Sequence, residues 1–445
     1  MTRRFEKAVL VLALSGTGLA AQAMGLLDAY KAALEQDSTI RAARAALEVG
    51  RERLPQAKAQ LLPSVSANMS RNSNQLATTS TNLLGNESVT RDSYYSFNKT
   101  ASLRQPLFNL YKFFQYKQAE DVVSEAEATF ERDLQNLTVR VGGAYLEALL
   151  SAEQLKVVLT QKQQYQTVLA AAEKSLALGT GTKTDIDDAK ARLDMALAQE
   201  LEARQNEDYT RRQLEILLNQ PVKVLHALKP TGLQSLPALG LDLNAWLEKA
   251  LANSPEVKAL EARFQAAGKE IRKAKSGHAP TLDAVLQWSD SGSENVTRLN
   301  SSFENKSLGF QLTIPLYQGG YVSSLERQAV ADKLRQEEAL EALRRDLGLR
   351  IHKEYRGVTE GAMKVRALEQ AVRSNEQLLD STRKSVLAGV RSQLDVLNVE
   401  QQLATASRDL IQARYLYLMS RLRLHSLSGH DPLANVEDIN AAFAP

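Results

Sequence analysis

The chain has 445 residues, is 44% hydrophobic, 24% charged and 6% aromatic, and contains no Cys. It is therefore long enough for several domains and too apolar to be a disordered chain. The missing cysteines exclude thiolate catalysis, Cys-ligated zinc, iron–sulfur centres and the acylated N-terminal cysteine of a lipoprotein. Lys and Arg number 55 against 52 Asp and Glu, a balance too even to hold nucleic acid by charge.

Arg3, Arg4 and Lys7 precede an apolar run, Ala8–Leu14, and then Ala21-Gln22-Ala23, a small-x-small cleavage pattern. This order reads as a secretory signal over residues 1–23, with an apolar part too short to span a bilayer. No later run approaches 18 apolar residues. An exported body is then either soluble outside the cytoplasm or a membrane β-barrel.

The remainder repeats once. At a shift of 217, Leu34, Ala42, Ala45, Ala57, Lys58 and Pro63 meet Leu251, Ala259, Ala262, Ala274, Lys275 and Pro280. At 209 Pro106-Leu107-Phe108 meets Pro315-Leu316-Tyr317, and at 210 Gly179 and Asp185 meet Gly389 and Asp395. So long a period implies a duplicated unit and not a solenoid. The expected division is a first repeat over 24–235, a second over 236–429 and a tail over 430–445.

Each repeat reads as helix, two strands and a long helical hairpin. A helical stretch over Leu27–Gln60 ends before Pro63. Val65, Ala67 and Met69 alternate with polar residues, and Tyr95, Phe97, Ala101 and Leu103 do so again, with Lys99 interrupting the apolar row. A Ser/Thr/Asn-rich loop is expected between them over Asn72–Asp92. In the second repeat Leu282, Ala284, Leu286 and Trp288 form one alternating strand. Leu308, Phe310, Leu312 and Ile314 form the other, after a loop over Ser289–Asn305. Strands of about ten residues match the length that crosses a hydrocarbon core on a tilt. Four cannot close a pore, because the smallest single-chain membrane barrels need about eight. The choice lies between a soluble sheet and a barrel shared among subunits.

Tyr111–Leu178 lacks Pro and has only Gly142 and Gly143, so one or two nearly continuous helices of about 100 Å are expected. From Val396 a 3,4 spacing runs through Val399, Leu403, Ala406, Leu410, Ala413, Tyr417, Ser420, Leu424 and Leu427. This is a coiled-coil seam with small residues that allow close approach. The matching track in the first repeat carries Glu200 and Glu207, which predicts a weaker seam or one that faces water.

This organisation resembles the TolC family of outer-membrane channel-tunnels from about Leu27 to Gly429. The resemblance rests on Ile314-Pro315-Leu316-Tyr317-Gln318-Gly319-Gly320, on Gly179-x5-Asp185-Ile186, and on Gly389-Val390-Arg391-x3-Asp395-Val396-Leu397. It implies a mainly α chain with membrane β: long hairpins forming a periplasmic α-barrel, and four strands per chain contributing to a trimeric 12-stranded outer-membrane β-barrel. It further implies tip turns at Gly179 and Gly389 that dock a periplasmic adaptor, and an inner-membrane ABC or proton-driven transporter as the energy source. A pore constriction falls on Asp395 and, where the best-known members carry a second Asp, on Asn398. Thr184, Asp185 and Arg391 match a latch between hairpins, whereas the family's tyrosine latch position is Val386. The resemblance implies a homotrimer in Gram-negative outer-membrane lipid, exporting protein by type I secretion, small molecules by efflux, or both.

The five histidines are scattered without metal spacing, and neither a phosphate-binding Gly-Lys loop nor a nucleophile elbow occurs. No catalytic residue, metal or cofactor is expected. The signal and the helices alone are also met by a non-conducting periplasmic coiled-coil scaffold, which leaves the four strands without a role.

Overall fold

A computed structural model describes residues 23–82, 85–229, 232–233, 236–294 and 301–443. Of the expected signal segment only Ala23 falls among them. The expected single helix over Leu27–Gln60 is three: α1 (Leu26–Gln36), α2 (Ser38–Arg51) and α3 (Arg53–Ala59). The break at Asp37 has a local cause, since its carboxylate accepts the Ile40 N–H at 2.9 Å and so starts a new helix. Arg140 holds the same carboxylate at 2.9 Å.

The sheet is antiparallel in the order β1 (Ser64–Thr81), β2 (Glu87–Phe108), β3 (Thr281–Ser293), β4 (Ser301–Thr313). The strands are longer than the ten residues expected, at 18, 22, 13 and 13. Most of the Asn72–Asp92 segment is ladder, not loop, and residues 289–293 and 301–305 are strand as well. Polarity misled the reading there, because two-sided polar strands lack an apolar period while hydroxyls and amides can pair across the ladder. Ser66 and Ser102 approach to 2.9 Å, and Asn74 donates to Ser96 at 2.8 Å. Pairing of β2 with β3 stops at Ser96↔Ser293, so the β1–β2 hairpin projects beyond β3 from Ser73↔Tyr95 to Thr81↔Glu87.

Register puts Val65, Leu103, Leu286 and Leu308 in one row on one face, and Ser66, Ser102, Gln287 and Ser307 in the adjacent row on the other. The apolar face is bare: Val65, Leu308 and Phe310 are each more than 70% exposed. Lys99, which interrupts that face, is neutralised by Asp290 at 3.0 Å. On the polar face Arg104 grips Asp283 at 2.7 Å.

Beyond the sheet run α4 (Leu110–Ala177) and α5 (Lys183–Leu218), then α6 (Leu243–Asn253) and α7 (Pro255–Lys275). After the second strand pair come α8 (Tyr321–Leu387), α9 (Gln393–Leu427) and α10 (Pro432–Asn440). The 68-residue α4 is a single helix, about 100 Å at 1.5 Å per residue. Midway along it the core gathers Tyr145, Leu347, Ile351, Leu418 and Leu422 with Leu26 of α1 and Phe443 beyond α10. Tyr145 donates to the Met24 carbonyl at 3.0 Å and meets Phe443 edge-on. A Cβ on Gly142 would lie 2.2 Å from Leu422, which is why a glycine stands inside this helix.

α9 lies between α8 and α4. Its expected seam is buried at Val396, Val399, Leu410, Ala413, Tyr417 and Leu424, and a second stripe is buried at Leu397, Glu400, Ala404, Leu418 and Leu422. Of the two outcomes expected for the first-repeat track, facing water is excluded at Glu200, which is 8% exposed and held by Lys162 at 2.6 Å and Arg204 at 2.7 Å. Those two cations hold its carboxyl below the usual range.

Candidate functional site: the hairpin tips

Both hairpins end in the same local construction. α4 ends at Ala177 with Leu178 as its cap, Gly179 takes φ +73, and the Thr180 and Gly181 N–H groups return to the Ser175 carbonyl. Thr182 then caps α5, its hydroxyl donating to Asp185 at 2.7 Å while the Asp185 N–H returns to that hydroxyl. In the second hairpin Gly389 takes φ +76, and Ser392 caps α9 by reciprocal bonds with Asp395. The Gly-x5-Asp spacing is thus a left-handed helix stop followed by a capping box. Only glycine adopts that φ without strain, and nothing lies within 4 Å of a Cβ at either position.

Asp395 accepts the Ser392 N–H and hydroxyl, both at 2.9 Å. These bonds, with the charge of Arg391 nearby, hold its carboxyl below the usual carboxylate range. It is a fixed negative charge at neutral pH.

Within one chain the latch residues bond inside their own hairpins. Arg391 donates to Thr382 at 3.5 Å, Asp185 serves Thr182, and Thr184 is exposed. Val386 packs beside Leu379, Val396 and Val399. The two hairpins are joined by residues that sequence reasoning missed. Arg192 of α5, set by Asp188 at 3.0 Å, donates to Asn398 of α9 at 3.0 Å. Deeper, Gln401 Oε1 accepts from Gln161 at 2.6 Å and from Tyr165 at 2.8 Å, while Gln161 also donates to Tyr165 at 2.7 Å. The spacings Gln161/Tyr165 and Asp188/Arg192 were available as i, i+4 pairs. Nothing in the sequence pointed them at α9, about 200 residues away.

Among the described residues no helix is long and apolar enough to cross a membrane, and no group of His, Asp and Glu is arranged to hold a metal. Separately, the sheet carries an exposed apolar band that includes Val65, Leu308 and Phe310. The family profile described as outer membrane efflux protein matches residues 29–220 and 246–430.

The chain belongs to the outer membrane efflux protein family.

It is 35% identical to the alkaline protease secretion protein AprF of Pseudomonas aeruginosa, over 95% of this chain and 88% of that protein. It is 32% identical to the proteases secretion protein PrtF of Dickeya chrysanthemi, over 96% and 92%. The solved CmeC outer-membrane channel of Campylobacter jejuni superposes with a TM-score of 0.75 at 14% identity, covering 94% of this chain and 90% of that one. This outer membrane efflux protein is accordingly a channel-tunnel protein and not an enzyme. Its helices form the tunnel wall, and its two long hairpins end in the capped turns.

Proposed function

We propose that three copies of this chain close a 12-stranded outer-membrane barrel over a periplasmic α-barrel, making an exit duct for type I protein secretion. The observation that carries this reading is one sheet with a bare apolar face joined to helices of about 100 Å that end in two matched capped turns. AprF and PrtF are named for protease secretion, which favours protein cargo over small molecules. In this reading residues 1–23 are the export signal, 24–235 and 236–429 the two repeats, and 430–445 a tail.

The turns at Gly179 and Gly389 then dock a periplasmic adaptor, and an inner-membrane transporter supplies energy. Three Asp395 carboxylates ring the axis at the tip, with Asn398 as a neutral second ring. Arg391 latches against Thr184 and Asp185 of the adjoining chain. Arg192–Asn398 and the Gln401 network unite the two hairpins within one chain, so that each protomer moves as a pair of hairpins.

Planar-bilayer recording of the purified trimer tests this. Step conductances should lose cation preference in Asp395→Ala and rise in Arg391→Ala; silence from folded protein would favour the scaffold. In a deletion strain, loss of an exported protease with unchanged drug sensitivity is expected. The reverse pattern assigns small-molecule efflux.

A further inference from the structure

Strand register sorts the charges of the sheet by face. Two residues past Arg104, four consecutive rows of the polar face run from Ser66↔Ser102 to Asn72↔Ser96 and continue across β3 and β4. Every position in them is Ser, Thr, Asn or Gln except Phe303. At the same levels the apolar face holds Arg71, Lys99, Asp290, Glu304 and Lys306. These strands are not poor in charge; their charge is kept off one face.

At the helix end of the neutral rows the polar face carries one ion pair, and it closes on itself. Arg104 Nε and Nη2 both donate to Asp283 Oδ2, at 3.0 and 2.7 Å. In the other direction the next charge among the described residues is Asp92, on the projecting hairpin. A charged wall would hold oppositely charged stretches of a passing chain and repel the rest, because a narrow channel with low-dielectric walls focuses the field. Hydroxyl and amide groups exchange hydrogen bonds with water and peptide at little net free energy, and conduction needs contacts weak enough to leave.

We propose that the barrel lumen is a charge-neutral sleeve and that the Arg104–Asp283 pair keeps its helix-side end neutral. This rests on the barrel reading above, in which the apolar face meets lipid and the polar face lines water. Stretches of cargo of either sign then pass the barrel alike, and charge selection is left to the helical part of the duct.

Thiol labelling tests the proposal, because the chain has no cysteine and one Ser→Cys substitution gives a unique reporter. Rates with a cationic trimethylammonioethyl and an anionic sulfonatoethyl methanethiosulfonate are measured on the full protein in liposomes. Ser66→Cys lies diagonally across from Arg104, about 7–8 Å away. Ser96→Cys is eight residues up β2, about 26 Å from Arg104 and beyond two Debye lengths. At both sites the cation-to-anion rate ratio should match that of N-acetylcysteine amide within about twofold. Arg104→Gln, which keeps an amide donor for Asp283, should raise the ratio at Ser66→Cys at least about threefold, and Asp283→Asn should lower it as much. The double variant should restore it. Ser96→Cys should keep its parent ratio in all three, which also shows that each variant forms the lumen. A parent ratio outside that range at either site, or single variants that shift the ratio in the same direction or not at all, overturns the proposal. Val65→Cys, beside the reporter on the apolar face, should resist both reagents. If it labels as fast as Ser66→Cys the barrel reading itself fails; if it resists, a biased ratio strikes the neutral sleeve alone.

Discussion

His425 should make the protein acid-labile in a window that carboxylates do not share. Its ring lies near the end of α9, 5.2 Å from the Trp246 ring of α6 and 5.2 Å from His430, and neither ring nitrogen has a protein hydrogen-bond partner. Burial first, then the charges of Arg421 and His430, push its pKa from 6.5 to about 4; Asp438 of α10 opposes them, and Lys249 adds a smaller push downward. Arg421 is fixed there by the Pro237 carbonyl at 2.7 Å and Asp438 at 2.9 Å. Between about pH 6.5 and 4 the unfolded chain binds a proton that the folded one refuses, so stability rises with pH across this window and falls as pH is lowered through it. At about 1.4 kcal/mol per pH unit, the loss at pH 4 approaches about 3 kcal/mol per protomer. Asp37, Glu200 and Asp395 have lowered pKa values and lose their contributions only below about pH 4.5, where unfolded carboxyls protonate. Thermal melting of the detergent-purified protein from pH 7.5 to 4.5 measures this. Wild type should lose stability steadily below pH 6.5, and His425→Phe should be nearly flat to pH 4.5. An equal slope in the two proteins would refute the reasoning.

Close packing of α8 on α9 predicts opposite signs for two similar substitutions. A Cβ on Gly357 would lie 2.3 Å from the Ser420 hydroxyl oxygen and 2.8 Å from its Cβ, whereas one on Gly361 meets Tyr417 at an ordinary 3.5 Å. Gly357→Ala gains about 1 kcal/mol of helix propensity against about 1–3 kcal/mol of overpacking and should melt lower. Gly361→Ala should melt higher. At the tip, Gly389→Ala forces a side chain into φ +76 and should cost about 1–2 kcal/mol locally. Faster amide exchange over 385–392 with unchanged global melting is the expected signature, and protection equal to wild type would contradict it. On the sheet, Leu308→Arg places a charge on the bare apolar face and should cost about 2–4 kcal/mol of insertion. Ser307→Arg, on the polar face, should still yield membrane-integrated protein, and equal loss in both would reverse the assignment of faces.

What was legible in the sequence depended on how far apart the deciding atoms lie. The length of α4 follows from the absence of Pro and the scarcity of Gly, both backbone effects felt within one turn. The tips are legible for the same reason, since each capping box spans four residues and each left-handed stop a single glycine. The alternation of β3 and β4 was readable because one face is apolar. The upper parts of β1 and β2 were not, because both faces are polar and only cross-strand pairing shows that they are strands. Glu200 looked solvated until Lys162 and Arg204 came beside it, and α9 showed one seam although it buries two. The hairpin-to-hairpin bonds of Gln401 and Asn398 join helices far apart in the chain. Residue order sets propensities, caps and periodicity, which are local free energies. Which buried charge finds a partner, and which face of a long helix is covered, is set by the packing of remote elements, where desolvation decides between pairing and exposure.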